Sequence, residues 1–208
     1  MPVSIDELVL ADPPAAWAAL GFEVGGASCD LGEVRLRLAG PQEGAGLLGW
    51  SLREVGDTRL DGLQTSRSRG EPRAAAPAHP NGVAGLDHVV VVTPDLERTV
   101  AALERAGLEL RRIREQPTPA GAPRQAFFRL GLAVLEVVQE PPEVAARKGA
   151  SRPAFFWGLA LLAPELERTV TVLGDAVGEI RAAVQPGRRI ATLRRSAGLG
   201  LPVALISA

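Results

Sequence analysis

Apolar and polar residues along the chain follow two alternating patterns. Short apolar runs predict strands, and apolar residues recurring every three or four positions predict helices. The clearest example is the run Leu86 to Val92, after which Pro94 predicts a helix start and Leu96, Val100 and Leu103 share one helical face. Three further strand-like runs follow, at 108–113, 124–130 and 132–138. The order is β-α-β-β-β.

Part of this unit occurs a second time. Residues 94–100 read PDLERTV and residues 164–170 read PELERTV, so that each residue lies 70 positions beyond its counterpart (164 − 94 = 70). Strand-like runs surround the second copy, at 155–162, 179–184, 188–194 and 202–206. The chain therefore contains a repeated β-α-β-β-β module.

The N-terminal part shows the same plan less clearly. Its predicted elements are a strand at 4–10, a helix at 15–20 and strands at 21–24, 32–38 and 50–55. A segment rich in Gly, Pro, Arg and Ser follows, and we interpret it as a linker in which His79 is a surface residue. We predict an α+β protein with an N-terminal βαβββ module (1–57), a linker (58–84) and a two-module domain (85–208, modules 85–140 and 153–208).

Composition narrows the class of partner. Apolar residues make up 46% of the chain and the formal net charge is −1, so no overall field favours nucleic acid or an anionic membrane, and a small-molecule ligand is expected. Cys29 is the single cysteine, which excludes an intramolecular disulfide. The acidic N-terminus lacks the pattern of a secretory signal, and no apolar run reaches membrane-spanning length. These features predict a cytoplasmic protein.

Two polar residues interrupt apolar strands of the best-defined module. His88 lies in its first strand and Glu136 in its last. One helix covers only one face of such a sheet, so two modules side by side are expected to enclose a cleft. Since strand residues alternate between faces, both side chains can point into that cleft.

The paired modules and three short motifs together support a family resemblance. The motifs are LDHV at 86–89, PDLER at 94–98 and VLEV at 134–137. They resemble the vicinal oxygen chelate superfamily, which includes glyoxalases, bleomycin-resistance proteins and extradiol dioxygenases. The resemblance implies glyoxalase-like paired half-barrel sheets and a divalent metal (Fe, Mn, Zn or Ni) that polarises a substrate with two adjacent oxygens. The glycines show no phosphate-loop or dinucleotide-binding spacing, so no nucleotide cofactor is expected.

The resemblance also implies roles for individual residues. His88 and Glu136 fall on the metal-ligand positions, and Glu136 can also act as catalytic base. Aligning 5–7 with 86–88 makes Glu7 a candidate third ligand. In the third module the corresponding residues are Gly158 and Leu205, which bind no metal. The alternative is that His88 is a core histidine hydrogen-bonded to Glu136, with no metal.

Four further residues are candidates for contacting a substrate. Arg129 and Arg194 lie on third strands and can bind an anion, although both are equally compatible with solvent-facing positions. Phe127 and Trp157 can line an apolar pocket or belong to the core.

Two functions remain open at this point. One is a metal-dependent lyase, isomerase or dioxygenase of the glyoxalase-like kind. The other is a metal-free protein that sequesters a small molecule in the same cleft. The odd number of modules leaves the first without a partner inside the chain, which predicts a homodimer.

Overall fold

The computed structural model describes residues 2–117 and 121–208, and its architecture is α+β, as predicted. The strands are β1 (Ser4–Leu10), β2 (Ser28–Leu31), β3 (Val34–Leu38), β4 (Leu47–Arg53), β5 (Thr65–Arg67), β6 (Gly85–Thr93), β7 (Glu109–Arg114), β8 (Gln125–Leu130), β9 (Ala133–Gln139), β10 (Phe155–Leu162), β11 (Arg181–Ala182), β12 (Arg189–Thr192) and β13 (Val203–Ile206). The α-helices are α1 (Pro14–Ala19), α2 (Leu96–Arg105), α3 (Pro142–Lys148) and α4 (Leu166–Leu173).

The second and third modules form one eight-stranded sheet, in the order β11-β12-β13-β10-β6-β9-β8-β7. Their first strands, β6 and β10, pair antiparallel at its centre, and each runs parallel to the last strand of its own module, β9 or β13. The two modules therefore join edge to edge through their first strands.

The N-terminal strands form a separate five-stranded sheet, in the order β2-β3-β1-β4-β5. β1 pairs parallel with β3 and antiparallel with β4, and β4 pairs parallel with β5. This order matches β8-β9-β6-β10-β13 of the larger sheet, strand for strand and direction for direction. The five-stranded sheet is thus a partial copy of the paired-module sheet.

That correspondence corrects the predicted first module. β4 was expected to be its last strand, but β4 occupies the place of β10, the first strand of a partner module. The position of last strand belongs to β3. The predicted strand at 21–24 is irregular and β2 starts at 28, while the predicted linker supplies β5. The division at 1–57, 58–84 and 85–208 stays a prediction.

Helix α2 shows how the repeated motif folds. Its N-cap is Asp95, whose carboxylate accepts the N–H of Arg98, so the helix begins at Leu96 and not at Pro94. The predicted stripe of Leu96, Val100 and Leu103 is buried. The segment between the second and third modules contains α3. No helix among the described residues is long and apolar enough to cross a membrane.

The two sheets share one continuous hydrophobic core. Trp50 of β4 packs edge-on against Phe156 of β10, with ring centroids 5.1 Å apart. Across the same boundary, Arg98 donates to Asp61 at 2.8 Å. The N-terminal strands therefore find a partner within the chain, which removes the reason given for a homodimer, and the oligomeric state stays a prediction.

The predicted linker is packed against the first sheet near its end. His79, expected on the surface, is buried with 6% exposure. Its Nδ1 accepts the N–H of Glu23 at 3.1 Å, so Nε2 carries the proton and donates to the carbonyl of Asp30 at 3.0 Å. Cys29 Sγ lies 3.6 Å from that nitrogen, and burial raises the pKa of its thiol to about 12. His79 thus connects the end of the predicted linker to the backbone of Glu23 and Asp30. A thiol with a raised pKa is not the thiolate that a reactive cysteine requires.

Candidate functional site

A cavity of about 420 Å³ lies on one face of the eight-stranded sheet, between the second and third modules. The second module contributes most of its polar lining, which consists of His88, Arg112, Arg114, Gln116, Gln125 and Glu136, together with Phe127. The third module contributes mainly apolar side chains, at Ala183, Val184, Pro186, Ile190 and Ile206, and also Gln185. The second module therefore provides most of the polar and ionisable side chains of the cavity, and the third module provides a mainly apolar wall.

His88 and Glu136 meet in this cavity. Their strands are neighbours that run parallel, and Glu136 is in register with Val90, two residues after His88 on the same face. His88 Nε2 lies 3.3 Å from Glu136 Oε2, and both side chains are mostly buried. The sequence placed these residues on facing positions of one cleft, and the structure brings them into contact.

The other nitrogen of His88 is held by the preceding residue. The pairing of β6 with β10 shifts register between Leu86 and His88, so that Asp87 lies at an irregularity of the strand. Asp87 Oδ2 lies 2.7 Å from His88 Nδ1, and its Oδ1 accepts from Arg188 at 2.6 Å. Burial raises the pKa of Asp87, but its bonds with His88 and Arg188 outweigh burial, and the net pKa lies below the ordinary value. The bond between Nδ1 and Asp87 thus fixes the orientation of the His88 ring.

Glu136 has a different environment. Burial raises the pKa of its carboxyl above the ordinary value, against the opposing effects of His88 and of the Gln125 amide, which donates to it. A buried carboxyl with a raised pKa holds a proton more readily than a free one and can act in proton transfer. Its position beside His88 makes it the group of the cavity best suited to acid–base chemistry.

Two arginines on β7 complete the polar side of the cavity. The guanidinium of Arg112 lies over the ring of Phe127, 4.7 Å from its centroid. Arg114 Nη1 lies 3.5 Å from Gln125 Oε1, and its charge acts on Glu136. Sequence reasoning missed both: Arg112 lies in the strand predicted at 108–113, and Arg114 lies one residue beyond its predicted end. It also gave no functional role to Arg188, the first residue of the run predicted at 188–194, because no local pattern reveals a contact with Asp87 that spans 101 positions.

The remaining predicted site residues lie elsewhere, except for Phe127. Glu7 is in the other sheet, where its carboxylate accepts from Arg37 at 3.2 Å. Arg129 donates to the carbonyl of Gly131 on the surface, and Arg194 is exposed. Trp157 is 48% exposed. None of these four lines the cavity. Their predicted ligand and substrate roles therefore gain no support from proximity to His88 and Glu136.

The donor set does not fit a metal site with three protein ligands. Within residues 2–117 and 121–208, no group of three His, Cys, Asp or Glu side chains is arranged to hold a metal ion. His88 and Glu136 are two donors, while Asp87 is engaged by His88 and Arg188. Catalytic metal sites usually have three protein ligands. The residues that are present thus fall one ligand short.

Comparisons with known proteins bear on the fold. Neither protein-family models nor curated proteins match the chain. Among solved structures, a xylose isomerase-like TIM barrel/4-hydroxyphenylpyruvate dioxygenase fusion protein superposes on 98% of this chain and 48% of its own, with a TM-score of 0.63 and 14% identity. The chain thus spans about half of that protein. At 14% identity the likeness is one of fold, and it agrees with the paired-module fold that the predicted resemblance implied.

Smaller solved structures match only part of the chain. Methylmalonyl-CoA epimerases from Mycobacterium tuberculosis and Streptomyces coelicolor each have a TM-score of 0.49 and 17% identity. They cover 64% and 61% of this chain, and 91% and 95% of their own. At these scores they carry no argument about activity.

Proposed function

We propose that the chain is a small-molecule-binding protein whose cavity takes an organic anion with an apolar body, without a metal. The observation that supports this most directly is the division of the cavity lining. Arg112 and Arg114 lie on one side, and apolar side chains of the third module, such as Ile190 and Ile206, lie on the other. Binding sites of this kind combine a mostly apolar wall with a few polar groups that fix the orientation of the ligand.

The contact between His88 and Glu136 supports the same reading. His88 Nε2 lies 3.3 Å from Glu136 Oε2, while Asp87 is hydrogen-bonded to His88 and the Gln125 amide donates to Glu136. The raised pKa of Glu136 reduces the cost of bringing an anion near it, since the protonated form carries no charge. The carboxylate of the ligand would then pair with the guanidinium groups.

Calorimetric titration with phenylacetate tests the proposal, with benzyl alcohol as the uncharged analogue. Phenylacetate is expected to bind saturably and benzyl alcohol at least tenfold more weakly. The double variant Arg112→Gln with Arg114→Gln should lose binding. Arg111→Gln is the matched control, because Arg111 belongs to the same strand but pairs with Glu109 and does not line the cavity. Equal affinity in the double variant and the control would refute the role of the arginines.

A second candidate is an enzyme of the vicinal oxygen chelate type, a lyase, isomerase or dioxygenase acting on a substrate with adjacent oxygens. It is favoured by the Asp87–His88 bond, which orients Nε2 towards the cavity, since metal-binding histidines commonly donate their other N–H to a carboxylate. Glu136 would be the general base. Among the described residues His88 and Glu136 lack a third metal ligand beside them.

Metal analysis separates the two candidates. Protein purified without chelator is measured by mass spectrometry for Fe, Mn, Zn and Ni, beside His88→Ala. Stoichiometric metal that disappears in the variant would favour the enzyme, and its absence from both proteins would favour the binder. The cytoplasmic location and the homodimer stay predictions.

A further inference from the structure

The N-terminal sheet copies the eight-stranded sheet down to a local irregularity. In β1, Ile5 pairs with Leu52 and Glu7 with Ser51, which leaves Asp6 as an extra residue. In β6, the corresponding extra residue between two paired ones is Asp87. Since both sheets have the same strand order and directions, Glu7 stands where His88 stands in the larger sheet.

The same register identifies a counterpart of Glu136. β1 and β3 run parallel, as β6 and β9 do. Glu7 pairs with Arg35 of β3, and Arg37 lies two residues further along that strand. His88 pairs with Val134 of β9, and Glu136 lies two residues further along that strand. Arg37 Nε lies 3.2 Å from Glu7 Oε1, so this pair also meets across neighbouring strands. The N-terminal sheet thus carries the same pair of positions with acid and base exchanged.

A second cavity, of about 470 Å³, lies on this face of the N-terminal sheet. Its polar lining consists of Arg37, Glu43, Gln64, Thr65 and Ser66. The side chain of Trp50 is buried on the core face of the sheet, and it reaches the cavity only through Thr65. Trp50 Nε1 donates to Thr65 Oγ1 at 2.7 Å. The cavity is separate from the one that contains His88, because the two share no lining residue.

The side chains of this cavity favour one class of ligand. The structure records Glu7 as the one partner of the Arg37 side chain among the described residues, and Arg37 is 52% exposed. Its terminal nitrogens are thus free to form the paired hydrogen bonds that a carboxylate accepts. Gln64 and Ser66 offer uncharged polar groups, whereas Glu43 disfavours a second negative charge nearby.

We propose that this cavity of the N-terminal sheet is a second ligand site, for a small hydroxylated monocarboxylate anchored by Arg37. Glu7 positions the guanidinium through its contact with Nε. The hydroxyl groups of the ligand bond to Gln64 and Ser66. This proposal does not depend on the ligand or chemistry of the cavity at His88.

Gluconate is the probe, and the indole N–H signals in ¹⁵N-resolved nuclear magnetic resonance are the readout. The chain has three tryptophans, and Trp50→Phe identifies the signal of Trp50. Gluconate should shift that signal saturably, with a dissociation constant on the order of 1 mM or below. Trp17, buried against Asp12, and Trp157, in the other sheet, should stay unchanged.

Arg37→Gln should abolish the shift. Arg35→Gln is the matched control, since Arg35 lies two residues earlier in the strand but is held by both oxygens of Asp30 and does not line the cavity. Glucose, which lacks the carboxylate, and glucarate, which has two, should each bind at least tenfold more weakly than gluconate. No saturable shift with gluconate, equal binding by Arg37→Gln, or equal binding of glucose would each overturn the proposal.

Discussion

Gly158 lies so close to Pro202 that a Cβ atom on it would come within 2.5 Å of the Pro202 carbonyl oxygen. That oxygen accepts the N–H of Leu159 at 3.0 Å, so the two strands cannot separate without losing the bond. By the 70-residue offset, Gly158 corresponds to His88. Close strand packing therefore leaves no room for a side chain at this position of the third module, and the polar chemistry of the cavity comes mainly from the second.

Replacing this glycine should destabilise the protein. Gly158→Ala is expected to lower the free energy of unfolding by about 1–3 kcal/mol, because the methyl group meets backbone and not a flexible side chain. Urea denaturation measures the change. Gly25→Ala is the control, since nothing lies within 4 Å of a Cβ at that position. Equal stability of both variants would contradict the close approach.

The raised pKa of Glu136 predicts how stability varies with pH. The folded pKa lies above the ordinary value of 4.5, so the folded state favours the protonated form. The stability that this provides is present below about pH 4.5 and is lost as pH rises through the folded pKa. Glu136→Gln cannot titrate, and its free energy of unfolding should therefore rise relative to wild type as the pH increases above about 4.5.

Denaturation curves at several pH values test this expectation. Glu104→Gln, which removes an exposed glutamate on α2 away from the cavity, is the control for the loss of one carboxylate. If the free energy difference between Glu136→Gln and wild type does not change with pH, burial does not shift the pKa of this carboxyl.

His79 should give a pH dependence of the opposite sign. Burial lowers the pKa of its imidazole below the ordinary 6.5, although the carbonyl of Asp30 opposes this. Its stabilising contribution is complete above about pH 6.5 and is lost as pH falls through the folded pKa. His79→Gln should therefore be destabilised most above about pH 7 and approach wild type on acidification. His88→Gln is the control, because it changes the other histidine of the chain and leaves His79 in place. Its free energy of unfolding should still show the decrease on acidification that is due to His79.

Asp61 connects the segment after β4 to helix α2. Its carboxylate, 9% exposed, accepts from Arg98 at 2.8 Å and from the Thr99 hydroxyl at 2.5 Å. Asp61→Asn should lower the free energy of unfolding by about 2 kcal/mol, because these bonds involve charged groups. Asp57→Asn is the control and should have little effect, since Asp57 pairs with the exposed Arg59.

The Asp61 contact also tests the packing of the N-terminal sheet within its own chain. Since the bond is intramolecular, the loss in Asp61→Asn should be the same at all protein concentrations. A loss that grows on dilution would instead indicate that the N-terminal sheet is stabilised by a second copy of the chain.

The sequence by itself determined the repeated modules and the position of the best candidate pair. Strand periodicity is local, so LDHV and VLEV were enough to predict that the side chains of His88 and Glu136 can point into one cleft from their strands. The repeat at 70 residues was enough to predict two modules side by side.

Only the tertiary structure decided which strands pair and which distant side chains meet. The roles of β4 and β5 depend on partners that no local pattern specifies, and the same holds for the contact of Asp87 with Arg188. Glu7 shows the difference most clearly. Its alignment with His88 agrees with the strand register, but β3 brings Arg37 beside it, and the sheet that contains it does not open into the cavity at His88. Strand pairing joins residues that are distant in the sequence, and it is determined by how the apolar faces of all strands pack in the core.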